Sequence, residues 1–194
     1  MAIVAALVAV ASAFAAGQPD PKRMTLRLSD LPAHLALVRA ESGRYDVARA
    51  ARTDNAPVSL FRSHGYLGGY ELDATRKGSL SSDVSAGLFQ IISAASLWQT
   101  GAGARWSLAR SVRSSRSHGF QALPTGGRIG AESHLYSYPL QDGNYSFQVY
   151  ALGWRDGPVR ATVLVAGSKS AATARRAVRL AGKQERRIAS ELNR

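Results

Sequence analysis

The chain contains no cysteine. Disulfide frameworks, thiolate zinc sites, iron–sulfur ligation and cysteine nucleophiles are excluded at once. Carboxylates are scarce: 13 Asp and Glu stand against 25 Lys and Arg, a formal charge of +12 over 194 residues. They are scattered, so no two-carboxylate hydrolase dyad suggests itself. Lysine is confined to Lys22, Lys77, Lys169 and Lys183, so the basicity is almost wholly arginine. Part of that bias, like the abundance of alanine, is what a GC-rich bacterial genome produces by composition alone. There is no P-loop lysine and no G-x-S-x-G, which removes two common signatures of phosphate binding and of serine hydrolysis. Long apolar runs are missing too, with one exception at the N-terminus.

That exception is residues 1–16, Met-Ala-Ile-Val-Ala-Ala-Leu-Val-Ala-Val-Ala-Ser-Ala-Phe-Ala-Ala. It falls short of the ~20 residues that cross a bilayer. Ala13-Phe14-Ala15 has the A-x-A form read by signal peptidase. Gln18-Pro19-Asp20-Pro21 then breaks any helix, because proline lacks the N–H that a helix uses. Residues 1–16 are accordingly expected to be a signal peptide, residues 17–24 a linker and residues 25–194 a single domain. A leader of this kind implies a secreted or periplasmic, extracytoplasmic protein with a mature terminus near Ala16 or Gly17. The n-region departs from the usual pattern in having no Lys or Arg.

With 45% apolar residues the remaining chain can bury a core. Thr25 to Leu28 and Leu35 to Glu41 read as strands. Asp46 is placed to cap a short helix through Ala50-Ala51, and Pro57 to open another, closed by Gly65. Tyr66, Gly68, Tyr70, Leu72 and Ala74 share one parity, which suits a strand. After a turn at Arg76-Lys77-Gly78-Ser79, Val84 to Trp98 reads as a long strand bent at Gly87. A helix is expected from Thr100 to about Ser114, with Ala104, Trp106, Leu108, Ala109 and Val112 on its apolar face. Residues 115–130 read as loop. Glu132 to Tyr138, Tyr145 to Trp154 and Pro158 to Ala166 read as three strands, with Asp142-Gly143 and Asp156-Gly157 as turns. Ser168 or Ser170 would cap a last helix whose stripe is Ala174, Val178, Ala181, Ile188 and Leu192. The expected class is α+β: an antiparallel sheet of about five to seven strands with two or three helices packed against it.

The candidate sites are few. Gly101-Ala102-Gly103-Ala104-Arg105-Trp106 begins like a dinucleotide fingerprint, but Trp106 stands where a small residue must let helix and strand pack. It reads as a strand-to-helix turn. Glu132 and His134 share one strand face and form the single acid–base pair available to a hydrolase. The aromatics of the sheet, chiefly Trp98, Tyr136, Tyr138 and Trp154, either fill a core or line a ligand groove. No metal site, catalytic group or cofactor is indicated. From Val84 to Ala131 there is no acid and five arginines, and from Ser168 to Arg194 the net charge is +6. Arg105, Arg175, Arg179, Arg186 and Arg187 thus form an expected anionic-surface set, suited to anionic lipid or cell-wall polymer. Nucleic acid is not expected for an exported chain, and a monomer is.

Several soft motifs carry a resemblance over residues 25–190. They are Asp30-Leu31-Pro32 with Leu35-Ala36-Leu37-Val38, Gly68-Gly69-Tyr70-Glu71, and Ser93 to Trp98 before Thr100-Gly101-Ala102-Gly103-Ala104. Ile129-Gly130-Ala131-Glu132-Ser133 and the closing Val163-to-Gly167 strand with its basic helix complete them. Together they resemble uncharacterised exported bacterial α+β domain proteins. More distantly, the element order is similar to PsbP-like lipoprotein and sensor domains, from which the lack of a lipid-anchor cysteine departs. The resemblance implies an exported domain and no particular activity. The expected function is a non-enzymatic binding or interaction domain at the cell envelope, acting on an unidentified small molecule. The alternative is a secreted hydrolase of envelope or extracellular material.

Overall fold

The computed structural model describes residues 17–76, 87–142 and 145–194. The leader, the turn after Arg76, the start of the Val84 strand and the Asp142-Gly143 turn lie wholly or partly outside them. The elements are helix α1 (Pro21–Met24), a 3-10 turn (Leu28–Asp30), strands β1 (Leu35–Leu37) and β2 (Gly43–Tyr45), and helices α2 (Val47–Thr53) and α3 (Val58–Ser63). Then come β3 (Tyr66–Arg76), β4 (Leu88–Trp98), α4 (Gly101–Ser117), β5 (Gln121–Leu123), β6 (Glu132–Asp142), β7 (Tyr145–Asp156), β8 (Val159–Gly167) and α5 (Ala174–Leu192). The class is α+β. One antiparallel sheet runs β1-β3-β4-β8-β7-β6-β5, and β2 also pairs with β3.

Among the described residues eight strands exceed the expected five to seven because β2 and β5, three residues each, were not expected. Strands that short carry no readable period. Five helices exceed two or three for the same reason, α1 being a single turn. Thr25 to Leu28 is not a strand: the Leu26 N–H donates to Ser93 Oγ at 2.9 Å, and Leu28 opens the 3-10 turn. The long strand expected from Leu35 stops at Leu37, and the chain turns just after it, where the Val38 carbonyl accepts the Glu41 and Ser42 N–H groups. Asp46 and Thr100 cap α2 and α4 as their residue types suggest, through Arg49 N and Gly103 N. The cap of α5 is Thr173, because Ser168 is already occupied by Gly87 N and Ser170. The β7–β8 hairpin closes on Gly157-Pro158, with Gly157 at φ +50°, so the tight loop lies one residue later than the Asp156-Gly157 pair.

The pleat sends alternate residues to opposite layers. Ile91, Ala95 and Leu97 of β4 and Val159, Ala161, Val163 and Val165 of β8 enter the larger core, against α5 and the N-terminal segment. The buried face of α5 is Ala177, Leu180, Ala181, Gln184, Ile188 and Glu191, while Ala174, Val178 and Leu192 sit half-buried at its margin. A polarity-based stripe misses Gln184 and Glu191. Both are buried because both are satisfied: Ser93 Oγ donates to Gln184 Oε1 at 2.7 Å and Gln184 Nε2 donates to the Ala94 carbonyl at 2.9 Å. Glu191 Oε1 accepts the Asp20 N–H at 3.1 Å. Leu26, Ser93 and Gln184 therefore form one dry hydrogen-bonded relay that ties the N-terminal segment, the central strand and α5 together.

This relay predicts a large local effect. Gln184→Ala leaves the Ser93 hydroxyl and the Ala94 carbonyl without their partner, at about 1–3 kcal/mol for each orphaned group. Urea denaturation should show a loss of roughly 2–5 kcal/mol for Gln184→Ala. A loss below about 1 kcal/mol, the usual size of a surface substitution, would contradict the relay.

Candidate functional site

The other face of the sheet is covered incompletely. Ile92, Ala94, Ser96 and Trp98 of β4 lie across from Leu164, Thr162 and Arg160 of β8, and α2, α3 and α4 pack over one end of them. Phe61, Tyr66, Trp98 and Trp106 form an aromatic cluster there, with neighbouring ring centroids 5.1–5.8 Å apart, edge-on except for the tilted Phe61–Trp98 pair. His64 stacks on Trp106 at 3.9 Å and its Nδ1 lies 2.8 Å from the Leu60 carbonyl. Beside this cluster the helices leave a cavity of about 220 Å³, walled by Tyr45, Phe61, Tyr66, Ile92, Trp98 and Leu164. That is small beside the ~300–1,000 Å³ usual for ligand pockets.

Its polar groups converge from six elements, β2, β3, β4, β8, α2 and α4. Tyr45 crosses β3 over Gly69, where any side chain would collide with its ring. Burial pushes the Tyr45 phenol up to about 12, with the Arg160 charge and the Ser96 hydroxyl beside it acting in the opposite sense. Tyr66 donates to the Tyr45 carbonyl at 3.2 Å, and burial raises its phenol further still. Trp98 Nε1 donates to Ser96 Oγ at 3.1 Å, fixing the indole against the floor. Burial also raises Glu71, opposed by Arg49, whose Nη2 lies 3.2 Å from Glu71 Oε1.

Charge in the cavity does not balance. Arg49 pairs with Glu71, and Asp54 pairs outward with Arg110 at 3.6 Å. Arg160 has no carboxylate partner among the described residues. Its Nη2 donates to Ser111 Oγ at 3.0 Å, but its Nε is buried without any hydrogen-bond partner. Thr162 Oγ1, two residues along the same floor, is likewise buried and unpartnered. Orphaned buried polar atoms are rare and costly in folded proteins, and both of these belong to residues of the cavity floor. The arrangement can accept one acidic group beside an apolar body.

The expected aromatic set is not one groove. Trp98 lies in the cavity wall, 1% exposed. Trp154 is on the opposite face in the α5 core, its Nε1 donating to Glu185 Oε2. Tyr136 and Tyr138 share Trp98's side of the sheet by register, but α4, packed over β4, β8 and β7, comes between. Tyr138 stacks on Phe120 there at 4.4 Å. The arginine set divides similarly. Arg105 is exposed on α4, Arg175 and Arg179 are exposed on the first half of α5, and Arg186 and Arg187 gather with N-terminal cations near its end. Glu132 and His134 do meet, at 3.2 Å, but Arg155 closes on Glu132 at 2.9 Å and holds its carboxyl below the usual range. The trio is an ion pair on β6 and β7. Among the described residues no three His, Asp or Glu side chains converge as metal ligands would.

Arg160, Thr162, Tyr45 and Glu71 were not singled out by the sequence. Val159-Arg160-Ala161-Thr162-Val163 alternates perfectly, and alternation reads as an ordinary solvent face. The cover that turns this face into a cavity comes from α2 and α4, over 40 residues away in the chain.

No family model matches the chain, and no curated protein matches it. Among solved structures it is similar to the extracellular domain of PknH from Mycobacterium tuberculosis, with a TM-score of 0.53 and 12% identity over 91% of this chain and 98% of that one. The likeness spans almost the whole of both domains, and at that identity it concerns the fold.

The buried phenols make the site sensitive to alkali. Tyr45 stays protonated in the folded chain to about 12, while the unfolded chain ionises from 10, so stability is lost as pH rises through that window. Between pH 9 and 11 this group should remove roughly 1 kcal/mol, and Tyr45→Phe should abolish that share of the decline. Urea unfolding at the two pH values measures it; an equal decline in wild type and Tyr45→Phe contradicts the assignment.

Proposed function

We propose that the protein is an exported, non-enzymatic binding domain of the cell envelope, whose ligand is a small molecule with an apolar body and one acidic group. The observation that carries this reading is Arg160: a cation with no carboxylate partner among the described residues, with a buried and unpartnered Nε, on the floor of an aromatic-walled cavity. The acid would meet Arg160 and Thr162, and the apolar part would lie against Phe61, Trp98, Ile92 and Leu164. Export is supported by the leader-like residues 1–16 and by the extracellular origin of the similar PknH domain.

Hexanoate and hexanamide, titrated calorimetrically into the full chain, separate charge from shape. A charge-assisted hydrogen bond contributes about 1.5–3 kcal/mol, so the acid should bind roughly ten- to a hundredfold more tightly. Arg160→Met should erase that preference without destabilising the fold by more than about 1 kcal/mol, since a half-buried charge without a carboxylate partner among the described residues is replaced by an apolar side chain of similar length. Equal binding of the two compounds overturns the acidic ligand, and a large loss of stability makes Arg160 a structural residue. Mass spectrometry of the protein from its own host tests export. A terminus near Ala16 or Gly17 in the extracytoplasmic fraction is expected; an intact chain confined to the cytosol contradicts it.

A further inference from the structure

We infer that a second site, on the opposite face of the sheet from the cavity, docks onto the headgroups of anionic phospholipids. The site is the open concavity of about 600 Å³ between the end of α5 and the N-terminal segment. Arg23 and Arg27 from that segment and Lys183, Arg186, Arg187 and Arg194 from the chain's end surround it, with only Asp30 and Glu191 as acids. Six cations against two carboxylates leave +4 around one depression.

The depth of the charges matters more than their sum. Asp30 and Glu191 are 16% and 7% exposed, whereas Arg23, Lys183 and Arg194 are 60%, 41% and 59% exposed. The acids lie beneath and the cations lie outside. Arg187 Nη2 lies 2.7 Å from Asp30 and Arg194 Nη1 3.3 Å from Glu191, so these two guanidinium groups are held in place by the deeper carboxylates. Arg27 and Arg186 have no carboxylate partner among the described residues. An approaching surface therefore meets positive charge first, in a pre-arranged cluster.

The choice of a lipid surface rests on where this cluster sits. The polypeptide enters the folded body at the same corner: the Asp20 N–H donates to Glu191 Oε1 at 3.1 Å, immediately before α1. The apolar residues 1–16 are joined to the body only a few residues earlier. While a leader of this composition occupies a bilayer, the basic concavity is the part of the body held nearest the headgroups. Basic residues beside an apolar membrane segment are attracted to anionic lipid, each by about fivefold in affinity, within a Debye length of ~10 Å at 0.1 M salt.

Vesicle co-sedimentation of the full chain tests this. Phosphatidylglycerol–phosphatidylcholine vesicles are compared with phosphatidylcholine alone, so that the contribution of the apolar leader cancels and the difference reads the charge. The charge-reversed pair Arg27→Glu with Arg186→Glu is compared with Arg113→Glu with Arg116→Glu on the exposed side of α4, which changes net charge equally. Wild type and the α4 pair should favour the anionic vesicles at low salt, and the Arg27/Arg186 pair should lose at least about tenfold of that preference. Circular dichroism of each variant establishes that it is folded. Equal loss in both pairs means non-specific basicity and overturns the site. No anionic preference in wild type overturns it too, as does salt-sensitive binding to lipoteichoic acid with none to the vesicles, which would place a wall polymer there.

Discussion

The pleat of β4 and β8 separates two chemistries with a single register. Ile91, Ser93, Ala95 and Leu97 face α5 together with Val159, Ala161, Val163 and Val165. Their neighbours Ile92, Ala94, Ser96 and Trp98, with Arg160, Thr162 and Leu164, face the cavity. A slip of one residue would carry Arg160 into the dry core and Val163 out of it. The relay from Leu26 through Ser93 to Gln184 opposes such a slip, because those polar atoms find partners only in this register. The dry layer thus fixes the position of the charge on the other side of the sheet.

From that constraint the division of labour follows. One face is closed by α5, whose buried polar residues are fully satisfied and which gives the body its rigidity. The other is covered at one end by α2, α3 and α4 and left concave beyond them. Polar atoms without partners lie on this second face, at Arg160 and Thr162. Satisfied groups on the structural face and orphaned ones on the concave face distinguish a core from a binding site.

Much of the architecture was legible in the sequence. Asp46 and Thr100 announced their helices, Trp106 excluded a dinucleotide turn, and the three closing strands followed from alternation and turn residues. What failed was local or long-range. Three-residue strands carry no period, and Thr25 to Leu28 looked like a strand because its N–H partner, Ser93, is 67 residues away from Leu26. On α5, two of the six buried residues, Gln184 and Glu191, were hidden by being polar, and the expected stripe also missed Ala177 and Leu180. The site was the least visible part. Trp98 alone among the four nominated aromatics lies in the cavity wall, and Arg160 looked like an exposed arginine in a half-exposed strand. Only the packing of α2 and α4 around that cavity makes it a half-buried charge.

The most direct test of that charge is the Arg Nε–H region of the nitrogen–proton correlation spectrum, with Arg160 assigned by the loss of its signal in Arg160→Met. On addition of hexanoate the Arg160 Nε–H should move downfield and become protected from exchange with water, while hexanamide leaves it in place. A resonance that responds to neither compound, or equally to both, would contradict the account.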